Sequence, residues 1–146
     1  MPKSGVKAVV LVVDDNLFAC EAVSYELRKS GFEIVCARTL AEAMTLLGAK
    51  NIDVVVTDQC LPDGRGSQLI EWLRTGQADG VTNAARLPVI LWTLLMDFDN
   101  AEYRMLRSWP AVRILSKSVR TEILSQVIEE VRRGAELAPQ AGPRAQ

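Results

Sequence analysis

Five residues with reactive side chains each stand at the end of a short apolar run of the chain. They are Asp14, Asp15, Asp58, Thr93 and Lys117. Carboxylates gathered at one place must bind a cation or hold a proton, because two unit charges ~4 Å apart interact by about 4 kcal/mol at an effective dielectric constant of roughly 20. A set of oxygen ligands suits Mg²⁺. With a lysine and a hydroxyl nearby, the set is suited to phosphoryl transfer, in which a carboxylate attacks phosphorus.

The residue types that are absent or scarce narrow this chemistry. The chain has no histidine, which excludes Ser-His-Asp and Cys-His catalysis, histidine-metal sites and a phosphohistidine of its own. The cysteines Cys20, Cys36 and Cys60 form no CxxC pair, and we predict that all three are reduced thiols. The glycines around Arg65 lack the spacing of a nucleotide-binding P-loop.

Length and charge indicate one ordinary globular domain. The 146 residues include 17 basic and 18 acidic side chains, and no basic stripe points to nucleic acid or to an anionic membrane. No apolar run approaches the ~20 residues that span a bilayer, and the early aspartates exclude a signal peptide. We expect a cytoplasmic protein that binds neither nucleic acid nor membrane.

Apolar runs alternate with amphipathic stretches along the chain. Strands are predicted at 9–13, 33–37, 52–57, 88–92 and 111–115. Helices are predicted at 17–29, after the capping box Thr39–Glu42, at 67–74, after Asp99 and after Ser118. This alternation specifies an α/β fold whose parallel sheet is covered on both faces. Ligands of such sheets bind beyond the carboxyl ends of the strands, where the reactive residues stand.

Two segments lie outside the regular pattern. The polar stretch 76–86 is long for a connection, and we interpret it as a tolerated surface insertion. After Gly134 the chain becomes rich in Ala, Pro and Gln. We therefore predict a domain over residues 1–134 and a flexible tail or linker stub over residues 135–146.

Four motifs together resemble the receiver domain of two-component response regulators, of the chemotaxis-regulator type. The motifs are Val12–Asn16, Thr57–Pro62 with Gly66, Pro88–Ile90 with Thr93, and Leu115–Lys117. The resemblance covers about residues 7–133. It implies a flavodoxin-like (βα)5 fold, in which a doubly wound five-stranded parallel sheet has the strand order 2-1-3-4-5.

The resemblance also implies a role for each reactive residue. Asp58 would accept the phosphoryl group, Thr93 would hydrogen-bond its oxygens and Lys117 would pair with them. Mg²⁺ would be the cofactor, bound directly by Asp15 and largely through water by Asp14. The implied metal ligands are Asp14, Asp15, Asp58 and the backbone carbonyl of Cys60. Apart from its own phosphorylation and dephosphorylation, no conventional enzyme activity is expected.

The same resemblance implies the partners. A histidine kinase or phosphotransfer protein would donate the phosphoryl group, which agrees with the absence of histidine here. A downstream protein would bind the face formed by the fourth helix, fifth strand and fifth helix, and homodimers are compatible with the family.

The chain departs from the family pattern at three places. Ser118 replaces the proline after the lysine, and we predict a trans bond before it because a cis bond there costs ~2.5–4 kcal/mol. Ile114 replaces an aromatic residue whose ring moves when the threonine moves. Leu94, followed by Leu95, stands where the family has a small residue after the threonine. From these leucines and the uncharged Cys60, we predict slow phosphoryl exchange and slow self-hydrolysis.

Three other functions fit parts of the sequence. A pseudo-receiver that binds partners without phosphorylation is favoured mildly by Ile114 and Ser118. A phosphatase would need a second carboxylate where Cys60 stands. A flavodoxin-like cofactor protein would need a phosphate-binding loop after the first strand, and none is present.

Overall fold

The computed structural model of the chain describes residues 5–94 and 99–137. Five strands of the described residues form one parallel sheet in the order β2-β1-β3-β4-β5, so the predicted order is confirmed. The strands are β1 (Val9–Val13), β2 (Glu33–Ala37), β3 (Val54–Thr57), β4 (Val89–Thr93) and β5 (Val112–Ser116). A separate antiparallel hairpin of two residues per strand follows β3 and pairs Cys60–Leu61 with Gly64–Arg65.

Helices connect the strands on both faces of the sheet. They are α1 (Leu17–Lys29), α2 (Leu40–Ala49), α3 (Gly66–Arg74), α4 (Asn100–Ser108) and α5 (Thr121–Leu137). Asn16, Thr39 and Asp99 cap α1, α2 and α4 with side-chain oxygens that accept backbone N–H groups of the first turn. The capping predictions for Thr39 and Asp99 are therefore confirmed.

Two apolar cores lie on opposite faces of the sheet. Alternate residues of β1 point to opposite sides, so that Val10 and Val12 pack with α1 and α5, while Leu11 and Val13 pack with α2, α3 and α4. Every residue of β3 and of β4 is buried. Burial on both faces explains why these strands are continuous apolar runs and not alternating ones.

The connection from β5 to α5 differs from the prediction at one residue. Ser118 does not cap α5, which begins three residues later at Thr121. Its hydroxyl pairs with that of Ser116 at 2.8 Å, because a turn from Ser116 to Val119 comes first. The described residues contain no cis peptide bond, so the predicted trans bond before Ser118 is confirmed.

The prediction of three reduced thiols is wrong for two of the cysteines. Cys20 in α1 and Cys36 in β2 form a disulfide, with their Cα atoms 6.9 Å apart. Sixteen residues separate them in the chain, and only the packing of α1 against the sheet makes them neighbours. Cys60 lies outside this bond and is exposed.

The long segment after α3 is fixed by a buried arginine. Arg74 is 8% exposed, and its guanidinium donates to the carbonyl oxygens of Ala84, Leu87 and Pro110 at 2.6–3.2 Å. Burial lowers the pKa of Arg74 to about 10, so it remains charged at neutral pH. The segment includes a 3₁₀ turn at Ala84–Arg86 and is held to the domain by these bonds.

At its C-terminal end, α5 continues to Leu137, three residues past the domain boundary predicted at 134. Residues 138–146 of the predicted tail lie outside the described residues.

Candidate functional site

Three carboxylates meet at the carboxyl edge of the sheet. Asp14 follows β1 and Asp58 follows β3 directly, and these two strands are neighbours in the sheet. Asp14, Asp15 and Asp58 each present an oxygen within 4.8 Å of the others. Asp14 is buried and Asp15 is exposed. The chain order reverses at β1 and β3, which is where open α/β sheets bind their ligands.

Lys117 reaches this cluster from the end of β5. Its Nζ donates to Asp14 Oδ2 at 2.7 Å and to Asp58 Oδ2 at 3.2 Å. The same ammonium lies 5.5 Å from the centroid of the Trp92 ring. The Lys117 N–H donates to the carbonyl oxygen of Thr93 at 2.7 Å, which ties the last residue of β4 to the lysine.

Burial and charge set the protonation of this cluster. Burial, aided by the Asp14 carboxylate, raises the pKa of Asp58 above its ordinary value, although Lys117 opposes the rise. Burial alone would lower the pKa of Lys117, but the hydrogen bond and charge of Asp14, with Asp58, raise it above its ordinary value. One ammonium faces three carboxylates, so the site carries excess negative charge and attracts a cation.

Thr93 and Cys60, the two other residues predicted for the site, follow or end strands that lead to the same edge. Thr93 ends β4 and is 3% exposed. Cys60 begins the hairpin two residues after Asp58, and the role of its carbonyl as a ligand stays a prediction. Ile114 in β5 is partly buried against the core on the α4 side. Leu94 is 67% exposed, and Leu95 lies outside the described residues.

The backbone of Asp58 is packed so closely that glycine is required beside it. A Cβ atom on Gly66 would collide with the carbonyl oxygen of Asp58 and with the Leu91 side chain. The Gly66 N–H donates to the carbonyl oxygen of Gln59 at 2.9 Å. The start of α3 therefore holds the loop that carries Asp58.

A second polar group lies behind Asp58, and sequence reasoning missed it. Gln59, Arg65, Ser67 and Glu102 form a hydrogen-bonded set, which we call the Gln59–Glu102 cluster. The signal in the sequence was a glutamine beside Asp58, two residues after the end of a continuous apolar strand, since a buried amide requires hydrogen-bond partners. The sequence did not reveal that its partner comes from α4.

Comparison with known proteins decides the family. The family model described as the response regulator receiver domain matches residues 10–129. The chain belongs to this family. The swarming motility regulation protein RssB of Serratia marcescens is 33% identical over 85 residues, which are 58% of this chain and 35% of RssB. The probable transcriptional regulatory protein TcrX of Mycobacterium tuberculosis is 36% identical over 89 residues, which are 61% of this chain and 35% of TcrX.

Solved receiver domains share the fold. The receiver domain of the Francisella response regulator 1452 superposes with a TM-score of 0.72 at 24% identity and covers 87% of this chain and 98% of its own. A response regulator receiver domain protein from Clostridium thermocellum has a TM-score of 0.73 at 25% identity, with 89% and 98% covered. The flavodoxin-like receiver fold is thus confirmed.

The chain aligns with only part of the length of the curated relatives that it matches. The aligned region is about a third of RssB and of TcrX. Within residues 5–94 and 99–137, no helix combines the length and the apolar composition that crossing a membrane requires. Receiver domains generally bind Mg²⁺ at an acidic pocket, and this chain has a cluster of three aspartates, Asp14, Asp15 and Asp58.

Proposed function

We propose that this receiver domain accepts a phosphoryl group on Asp58 and signals through protein contacts. The observation that carries the proposal is the position of Lys117, whose Nζ contacts both Asp14 and Asp58 beside a third carboxylate. A solvated lysine or a helix-capping aspartate would need no such arrangement. The five residues at the strand ends also lack the second carboxylate that a phosphatase would need where Cys60 stands.

The donor set fits Mg²⁺. Asp14, Asp15 and Asp58 supply only oxygen atoms, and these lie within 4.8 Å of one another, which suits a hard cation. The backbone carbonyl of Cys60 would complete the protein ligands. When bound, the cation would neutralise charge on the phosphoryl oxygens.

The chain's own residues would then carry out the transfer. A carboxylate oxygen of Asp58 forms the new bond to phosphorus, while the bond from phosphorus to the imidazole nitrogen of a partner phosphohistidine breaks, and the imidazole takes up a proton. Lys117 would exchange its contact with the Asp58 carboxylate for the phosphoryl oxygens, and the Thr93 hydroxyl would donate to them. Positioned charge of this kind is the main source of rate in phosphoryl transfer.

Partners would meet two regions of the surface. Leu17 and Phe18 begin α1 beside the aspartates and are 50% and 82% exposed, which suits contact with a histidine kinase or phosphotransfer protein. A cavity of about 400 Å³ lies between α4 and β5 and is lined in part by Thr93, Leu94 and Ile114. It supports the face of α4, β5 and α5 as the surface for a downstream protein.

We also propose where the domain acts, where it ends and whether it forms dimers. We place the receiver domain in the cytoplasm, with its boundary near residue 134, and we propose that it contacts neither membrane nor nucleic acid. A homodimer is compatible with the family.

Phosphorylation by a small donor tests the proposal. The chain is incubated with acetyl phosphate and Mg²⁺ and its intact mass is recorded, with Asp58→Asn as the matched variant. We expect a mass gain of one phosphoryl group in the wild-type chain, and none in the variant or when EDTA removes Mg²⁺.

A pseudo-receiver is the second candidate, favoured by Ile114 and Ser118. It predicts no mass gain and no change in tryptophan fluorescence or NMR spectrum on addition of beryllofluoride. Phosphorylation of Asp58→Asn to the wild-type extent would contradict the assignment of Asp58 itself.

A further inference from the structure

The Gln59–Glu102 cluster joins the residue after Asp58 to the first turn of α4. Gln59 lies on the loop that follows β3, Arg65 and Ser67 lie at the start of α3, and Glu102 lies in α4. Forty-three residues separate Gln59 from Glu102 in the chain. The cluster is therefore a tertiary contact between the loop of the acidic site and the first turn of the helix that connects β4 to β5.

Gln59 is held from both ends of its amide. Its side chain is fully buried, its Oε1 accepts the N–H of Ser67 at 2.9 Å, and its Nε2 donates to Ser67 Oγ and to Glu102 Oε2 at 3.3 and 3.2 Å. The backbone N–H of the same residue donates to Asp58 Oδ1 at 2.7 Å. The orientation of the Asp58 carboxylate and the position of the Gln59 side chain are thus linked through one peptide unit.

Glu102 gathers the other ends of these bonds. Its carboxylate accepts hydrogen bonds from Gln59 and from the Ser67 hydroxyl, and it pairs with the Arg65 guanidinium at 3.0–3.2 Å. Although burial favours the neutral acid, the bonds from Arg65 and Ser67 hold the pKa of Glu102 below its ordinary value. Its place in the first turn of α4, where the helix dipole favours negative charge, acts in the same direction.

A movement of the Gln59 peptide cannot leave α4 unaffected. If the peptide shifts when a phosphoryl group is bonded to an Asp58 oxygen, Glu102 must follow with α4, or the buried amide must lose charge-assisted bonds. Buried polar groups left without partners are costly, so the concerted movement is favoured. The Gln59–Glu102 cluster is therefore a hydrogen-bonded network that can couple Asp58 to α4.

We propose that Gln59 and Glu102 are positioning residues that transmit the state of Asp58 to α4. The inference rests on the proposed function and deepens it. It supplies a connection between the acidic site and the face of α4 and β5 in a chain where Ile114 has no ring to rotate. Arg65 and Ser67 fix the geometry of the Glu102 carboxylate within this connection.

The test records amide chemical shifts by NMR on addition of Mg²⁺ and beryllofluoride, a mimic of the phosphoryl group. Three full-length chains are compared: wild type, Glu102→Gln and the control Glu122→Gln. Glu122 also lies in the first turn of a helix, and its side chain pairs with Arg120, two residues earlier in the chain. In wild type and in the control, we expect shifts both at residues 56–59 and at residues 100–108.

In Glu102→Gln, the shifts at 56–59 should persist while those at 100–108 fall to less than half. Glu102→Asp, which keeps the charge, should restore part of the α4 response, which a purely structural role would not require. Ser67→Ala removes one bond to Glu102 and should give an intermediate loss, and it stands in if Glu102→Gln fails to fold.

The outcomes separate the two proposals. Equal shifts at 100–108 in wild type and in Glu102→Gln, with shifts retained at 56–59, refute the coupling alone. An unchanged α4 response in Ser67→Ala refutes it as well where Glu102→Gln does not fold. The absence of any shift at 56–59 in wild type contradicts the proposed function, and with it this inference.

Discussion

Removing the charge of Asp58 should stabilise the metal-free protein. At an effective dielectric constant of about 20, Lys117 at 3.2 Å attracts the Asp58 carboxylate by about 5 kcal/mol. Asp14 and Asp15, each with an oxygen within 4.8 Å, repel it by about 3.5 kcal/mol apiece on the same scale. Burial of the Asp58 carboxylate is the largest cost, and together with the repulsion from Asp14 it outweighs the attraction of Lys117, so the pKa of Asp58 is raised.

The expected gain in the free energy of unfolding is modest, because solvent and salt weaken the interactions between these charges. Asp58→Asn keeps the shape of the side chain and an oxygen that can accept the Gln59 N–H. We expect the variant to raise the free energy of unfolding by about 1–2 kcal/mol in EDTA at low ionic strength, since exposed Asp15 is screened. The gain should shrink as NaCl is added.

Mg²⁺ should make the wild-type chain more stable than Asp58→Asn. A ligand that binds only the folded state at ten times its dissociation constant adds about 1.4 kcal/mol of stability. Asp58→Asn loses one of three carboxylates and should gain much less from the same concentration of MgCl₂.

Urea unfolding followed by tryptophan fluorescence measures both effects, in EDTA and in MgCl₂ at matched ionic strength. Asp79→Asn is the control, because Asp79 is an exposed carboxylate outside the cluster, and it should change neither quantity. The reasoning is refuted if Asp58→Asn is less stable than wild type in EDTA, or if Mg²⁺ stabilises both chains equally.

Three further measurements test other parts of the structure. Arg74→Met leaves three carbonyl oxygens without their donor and should cost about 3 kcal/mol or more in urea unfolding, at roughly 1 kcal/mol or more for each acceptor; a loss below about 1 kcal/mol would contradict the role of this arginine. Asp63 accepts the first N–H groups of α2, and these bonds lower its pKa below its ordinary value of 3.8. The ionised Asp63 carboxylate therefore contributes its full stabilisation above pH 3.8, and this is lost as the pH falls through the lower pKa of the folded state. The difference in the free energy of unfolding between wild type and Asp63→Asn should be present at neutral pH and vanish in acid. A difference that persists in strong acid would contradict the role of the Asp63 charge. Leu94→Ala should speed hydrolysis of the phosphorylated chain if the leucine shields Asp58, as followed by intact mass over time, whereas a wild-type half-life of seconds would contradict the shielding.

Local patterns were sufficient to predict most of the secondary structure. The bounds of β1, α1 and β2 match the prediction to the residue, because their apolar periodicity, caps and the glycine after α1 are all signals within a few residues of each element. The predicted start of the third strand at Ile52 was two residues early, since β3 begins at Val54, and element ends are decided by pairing with neighbours. The false cap at Ser118 has the same origin, because its hydroxyl pairs with the Ser116 hydroxyl in a turn instead of capping the helix.

The sequence by itself determined the order of strands and helices and the placement of Asp14, Asp58, Thr93 and Lys117 at strand ends. That was possible because parallel strands share one carboxyl edge, so residues far apart in the chain meet there in any such fold. Tertiary structure decided the Cys20–Cys36 disulfide and the Gln59–Glu102 cluster. Both depend on how a helix packs against elements that are distant in the chain. The distance and angle between the helix and those elements are set by the packing of the whole core and not by any one segment.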